Sequence, residues 1–296
     1  MNGLLLIDKP QGMTSHDVVA RARRIIGMRA IGHAGTLDPF ATGLLILCIG
    51  QATRLSEYLL GEAKTYTGRM KLGERTNTDD LDGEVVERRP VQVGADDLRR
   101  ARAAFSGVIS QMPPQFSAIQ IGGKRAYRLA RSGETVELQA RPVRIETLEL
   151  ALVGAAEVEL RVTCSAGTYV RALARDIGEM LGCGAHLTAL RRMQSGAFSL
   201  RDAVALEALQ QAGSGWPRHL LPMDRAVEGM PACRLDAVAS QRFLLGQFIR
   251  LDAEPANPSG RELRRVYDAE GRFIAIGELD TAAALLRPLK VLSARE

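Results

Sequence analysis

The chain has 296 residues, 46% hydrophobic and 25% charged, the proportions of a globular protein long enough for one large domain or two around a buried core. No apolar run reaches the roughly 20 residues of a membrane-spanning helix. The four cysteines, Cys48, Cys164, Cys183 and Cys233, include no pair at CxxC spacing, which argues against a disulfide framework or a zinc site and fits a reducing cytoplasm. The net charge of +5 rests on 34 Arg against 5 Lys. Guanidinium groups grip phosphate through paired bonds and stack on bases, so the balance suits a nucleic-acid partner, although a GC-rich coding sequence produces the same bias.

Residues 3–7 form a short apolar run with no basic lead, a first strand instead of a signal peptide. Thr14 and Ser15 cap a helix in which Val18, Val19, Ala22, Ile25 and Ile26 recur at helical spacing, and Gly27 stops it. Its other face carries Arg21, Arg23 and Arg24. The stretch from Gly32 to Gly43 reads as a loop, with three glycines that relax backbone constraints. Within it Asp38 directly precedes Pro39, which biases the aspartate towards extended backbone and holds its carboxylate at a defined angle. An ordinary Asp-Pro turn has the same local sequence, so the residues alone leave chemistry and turn both open.

Residues 44–49 read as an apolar strand, 52–60 as a short amphipathic helix, and 64–72 as a strand with Tyr66, Gly68 and Met70 on one face. The acidic cluster ending at Gly83 invites a calcium reading, but the EF-hand register puts Thr78 first and Arg89 twelfth, and both fail as ligands. Asp96 is expected to cap a helix over residues 96–105. Between Lys124 and Arg144 the chain has a local net charge of +4, with Tyr127 among the arginines, an interleaving that suits RNA.

Residues 143–153 and 158–165 alternate like paired strands, after which Tyr169 and Arg171, if extended, share a face and can flank a carboxylate; a helix then runs to Leu181. His186 reads as a satisfied histidine instead of a ligand. Beyond Leu206 proline-punctuated loops lead to strands over residues 261–268, 272–279 and 285–292, a compact β module.

The string His33-Ala34-Gly35-Thr36-Leu37-Asp38-Pro39-Phe40-Ala41-Thr42-Gly43 resembles the catalytic motif of the TruB family, the tRNA pseudouridine-55 synthases. Thr76-x-Thr78-x-Asp80-x-x-Gly83, Gly167-Thr168-Tyr169-Val170-Arg171 and the stretch from Gly184 to Arg192 resemble further motifs of that family. Ser117 to Tyr127 resembles another, with Gln120 where a lysine is usual. The resemblance implies an α+β chain: a pseudouridine-synthase catalytic domain over residues 1–225, built on a mixed, mainly antiparallel sheet flanked by helices, and a small β-rich PUA-like RNA-binding module over 230–296. It implies Asp38 as nucleophile, Tyr66 packed on the target uracil and implicated as a base, and Arg171 paired with Asp38. Tyr169 and Leu190 would line the pocket, Asp80 support it, His33 fill the gap left by a flipped base, and Lys124 and Arg125 hold the RNA backbone.

The implied reaction breaks a glycosidic bond and re-forms the link through C5, with no redox change or phosphate donor, so no cofactor and no metal are expected. The sequence agrees in having no GxxxxGK[ST], HExxH or strand-borne GxGxxG. The expected partner is the T stem-loop of tRNA, met by a monomer in the cytoplasm. Two other readings stand beside this one: a non-catalytic RNA-binding or tRNA-folding protein, and a glycoside hydrolase, which needs a second acid across the sugar.

Overall fold

The computed structural model describes residues 1–116, 120–121, 124–125, 138–251 and 260–292, with backbone alone at 120–121 and 124–125. Strands β1 (Gly3–Lys9) and β3 (Thr42–Ile49) pair antiparallel along their whole length, from Gly3↔Ile49 to Lys9↔Gly43. Both are apolar at nearly every position because both faces are covered. Leu5, Ile7, Leu45 and Leu47 join one core cluster, while Leu4, Leu6, Leu44 and Ile46 join another on the opposite face. Helix α1 (Ser15–Ile26) covers the first face with Val18, Val19 and Ala22. A capping box between Thr14 and Asp17 starts it, and Gly27 at φ 73° ends it.

The loop expected over residues 32–43 is shorter. Gly32, His33 and Ala34 belong to β2 (Ile31–Ala34), which pairs with β3 from Ile31↔Ile49 to Ala34↔Ile46. The reason is an edge to be filled. The strand Ala185–Ser195 runs parallel to β3 only at Arg191↔Thr42 and Arg192↔Gly43, and buried backbone groups farther along β3 need partners, which β2 supplies.

After β3 the expected helix over 52–60 divides into a 3-10 segment, Gly50–Leu55, and a short α2 (Ser56–Leu60). Strand β4 (Lys64–Leu72) then crosses the middle of the sheet. On one side it pairs with Ala185–Ser195, which leads to β3, β1 and Val204–Ala205; on the other lie Glu157–Cys164, Arg141–Leu152 and Gly107–Gln111. The sheet is mixed and mainly antiparallel, parallel at β1 with Val204–Ala205 and at β3 with Ala185–Ser195, and helices flank it, as expected. Helix α3 (Ala95–Ala104) begins one residue before the expected start. Its cap is Gly94, not Asp96, because the Asp97 carboxylate, three residues on, reaches back to accept the Gly94 N–H at 2.8 Å.

The C-terminal part is a curled five-stranded sheet in the order Ala232–Arg234, Arg261–Tyr267, Phe273–Asp280, Leu285–Val291, Ile249–Arg250. Phe243, Val266, Ala275 and Leu286 give it a core of its own, while Ile276 and Leu292 pack with Leu4, Leu6 and Ile46 on the second face of β1 and β3. Among the described residues no helix is long and apolar enough to cross a membrane.

Candidate active site

The loop between β2 and β3 is fastened from several directions. Ser15 Oγ accepts the Leu37 N–H at 2.9 Å and lies 3.2 Å from the Leu37 carbonyl, to which it donates. Lys9, fully buried at the end of β1, donates to the carbonyls of Met13 at 2.6 Å, Pro10 at 2.9 Å and Pro39 at 3.3 Å. Burial pushes the Lys9 ammonium down to about 8, with the Asp38 charge opposing. Arg192, 1% exposed, donates to Leu44 O at 2.7 Å and Gly35 O at 3.0 Å from behind. Gly43, at φ 98°, lies so close to that strand that a Cβ would come within 2.4 Å of Arg192 O. With Leu37, Phe40 and Ala41 buried, the Asp38 side chain, 36% exposed, is the charged group the loop presents to the pocket.

Arg171 faces it. The sequence leaves open whether Tyr169 and Arg171 are both extended; in the structure only Tyr169 is, at φ −100° and ψ 109°, and Arg171 lies in the first turn of the helix Val170–Met180. Gln111, fully buried, decides this boundary. Its side-chain amide accepts the Tyr169 N–H at 2.9 Å and donates to the Tyr169 carbonyl at 3.1 Å, which holds the backbone straight until the helix begins. The Arg171 guanidinium, 6% exposed, sets Nε 2.9 Å from Asp38 Oδ2 and Nη2 3.3 Å from Oδ1. Nη1 donates to Thr78 O at 2.8 Å and lies 3.2 Å from Asp80 Oδ2, and Nη2 donates to Phe116 O at 3.0 Å. Asp80 Oδ1 in turn accepts from Thr78 Oγ1 at 2.6 Å and from Asp82 N at 3.1 Å. Burial, the largest cause, pushes the Asp80 carboxyl up, with Thr78 and Arg171 opposing.

Asp38, Tyr66, Tyr169, Arg171, Leu190 and Phe116 line one pocket of about 270 Å³. Tyr66 and Leu190 meet there because β4 and Ala185–Ser195 are antiparallel neighbours, with Leu190 opposite Gly68 and Arg192 opposite Tyr66. Burial pushes the Tyr66 phenol above its usual value; the Arg192 guanidinium beside it opposes. Arg141 lies over the Tyr169 ring, 5.1 Å from its centroid. Asp80 sits behind Arg171 instead of in the pocket wall. Lys9, Ser15 and Arg192 escape sequence reasoning; the one local signal is a lysine closing a strand that is otherwise largely apolar. The side chains of Gln120, Lys124 and Arg125 and the whole stretch 126–137 lie outside the described residues. Among the described residues no group of three His, Cys, Asp or Glu is placed to hold a metal.

His33 lies on β2 outside the pocket wall, its ring edge-on to His16 with centroids 5.4 Å apart. Burial, then His16 and Arg192, push it down to about 4. A histidine that binds its proton less readily when folded contributes stability that is present above about 6.5 and is lost as pH falls through about 4. His33→Asn is therefore expected to flatten the acid limb of stability across that window, by at most about 1.4 kcal/mol per pH unit, the limit for one proton. Urea unfolding at several pH values measures the slope, and an unchanged slope contradicts the assignment. His186, by contrast, is buried with Nδ1 3.1 Å from Glu74 O, a satisfied histidine.

Comparison with known proteins narrows what such a pocket serves. The TruB family pseudouridylate synthase N-terminal domain matches residues 23–170, the tRNA pseudouridylate synthase B C-terminal domain 171–228, and the pseudouridine synthase II TruB C-terminal domain 231–292. The chain is 47% identical over 274 residues to the tRNA pseudouridine synthase B of Burkholderia lata, covering 91% of this chain and 84% of that protein. It is 45% identical over 298 residues to that of Cupriavidus metallidurans, covering 99% and 94%. A chain in a solved Cbf5-Nop10-Gar1 complex superposes with a TM-score of 0.75 at 27% identity, over 99% of this chain and 85% of the other. The fold is that of a pseudouridine synthase, an isomerase. The chain belongs to the TruB family.

Proposed function

We propose that the protein converts uridine to pseudouridine in tRNA, at position 55 in the T loop, without a cofactor and with Asp38 as the catalytic group. The observation that carries this reading is one carboxylate, presented by a fastened loop and faced by the buried Arg171, in a pocket shared with Tyr66 and Leu190. The tRNA substrate follows the names of the relatives. In the reaction the C1′–N1 bond breaks, the base turns, C1′ bonds to C5, the C5 proton leaves and N1 gains one. A carboxylate serves this either by covalent attack on sugar or base or by stabilising positive charge on the ribose.

The uridine must leave its stack to reach Asp38, a cost of a few kcal/mol offset by stacking and hydrogen bonds in the pocket. His33 would occupy the vacated space, and Lys124 and Arg125 would hold phosphates. Residues 1–225 would act as the catalytic unit and 230–296 as a PUA-like RNA-binding module, in a cytoplasmic monomer. The test is mass-neutral conversion of uridine in an unmodified tRNA transcript, with a uridine-to-cytidine change at position 55 as control. Binding without conversion would make the protein an RNA-binding or folding factor; conversion elsewhere would overturn the position.

The two tyrosines have separate duties in this reading. Burial keeps the Tyr66 phenol neutral at rest, and the adjacent Arg192 guanidinium is placed to stabilise it when its proton leaves. Tyr66→Phe preserves stacking and removes the hydroxyl, so single-turnover conversion should slow by at least ~100-fold. Tyr169→Phe keeps the ring under Arg141 and removes at most one neutral hydrogen bond to substrate, about a two- to twelve-fold effect. Equal slowing of the two variants contradicts this division.

A further inference from the structure

The helix Val170–Met180 carries a second arginine one turn beyond Arg171, and it repeats the first one's contacts on a part of the site that no catalytic group occupies. Arg175 Nη1 donates to Asp79 Oδ2 at 3.0 Å, Nη2 to the Met112 carbonyl at 2.7 Å, and Nε to Asp176 Oδ1 at 2.8 Å. Arg171 likewise bridges the turn at Thr78 and Asp80 to the Phe116 carbonyl. The two guanidiniums, with Gln111 on Tyr169, therefore fasten both ends of the segment 111–116 to one helix. That segment delivers Phe116 to the pocket wall and leads in sequence towards the basic stretch at Lys124.

The Arg175–Asp79 pair is costly to build. The two side chains are 17% and 12% exposed, and Asp79 holds φ at 63°, a left-handed backbone uncommon outside glycine, asparagine and aspartate. Burial pushes the Asp79 carboxyl up, against Arg175.

We infer that Arg175 and Asp79 are positioning residues for substrate: their ion pair presets the segment 112–116, so that the incoming nucleotide meets a Phe116 wall already in place. The inference rests on the pseudouridine-synthase reading. Arg171 keeps its contacts to Asp38, Asp80 and Thr78 when Met112 is released, so the chemical step is spared. What is lost is preorganisation, which RNA binding must then supply.

Single-turnover conversion of an unmodified tRNA transcript, measured over a range of enzyme concentrations, separates the half-saturating concentration from the limiting rate. Arg175→Met is expected to raise the first about tenfold and lower the second less than about threefold. Arg175→Lys keeps one charge but not the fork and should fall between. Should Arg175→Met fail to fold, Asp79→Asn breaks the same ion pair from its other side while retaining the left-handed backbone. A folded variant with unchanged half-saturation overturns the inference, as does a limiting rate that falls as far as affinity. If the wild type binds the transcript without converting it, the functional reading fails, and filter binding still decides whether Arg175→Met weakens affinity.

Discussion

Asp38→Asn is expected to lower single-turnover conversion by on the order of 10⁴-fold or more while the protein folds and binds RNA normally. Asparagine preserves the shape of the side chain, and the loop under it is held by contacts that do not involve the carboxylate: Ser15 to Leu37, Lys9 to Pro39 and Arg192 to Gly35. The side chain is 36% exposed, so the change leaves no unpaired charge deep in the core. Arg171 retains Asp80 and two carbonyls as partners. What disappears is the negative charge and the oxygen that the proposed covalent route would use, and among the described residues no other carboxylate lines the pocket. Mass spectrometric detection of pseudouridine after prolonged incubation, beside a binding measurement, checks both halves. Product formed by a verified variant would remove Asp38 from the catalytic role.

Arg171→Met should damage stability and catalysis together. The guanidinium is a buried bridge between two carboxylates and two carbonyls, and Asp80, 4% exposed, has no other cation among the ion pairs of the described residues. Removing one member of a buried pair costs roughly 3–5 kcal/mol, because the other charge is left without compensation. The pH dependence has a definite sign. Burial already pushes the Asp80 carboxyl up, and loss of Arg171 pushes it further in the same direction. The penalty is therefore full above the variant's raised carboxyl value and shrinks as pH falls through it and the carboxyl protonates. Unfolding of wild type and variant at matched pH values measures this. A stability difference that does not shrink towards acid pH would mean that the loss is one of packing instead of charge.

Short-range features of this protein were legible in its sequence. Helix α1 could be bounded from Thr14, its periodic valines and Gly27, because caps and periodicity act within one or two turns. The run at residues 44–49 declared a strand, and Asp38 before a proline in a glycine-rich stretch marked the loop that presents a carboxylate. The resemblance of five motifs carried the family, which the relatives show.

Tertiary structure decided the rest. Arg171 lies in a helix because Gln111, 58 residues upstream of Tyr169, holds the Tyr169 backbone, a bond between distant residues that no local pattern encodes. Residues 32–34 became strand because an edge of β3 lacked partners. Lys9, Ser15 and Arg192 fasten the central loop, yet each carries an ordinary local sequence; only sheet register and burial put their donors against its carbonyls. The physical division is one of range. Backbone propensity and capping act over a few residues and can be read along the chain, whereas a buried charge needs partners that only the packed fold brings within 3 Å.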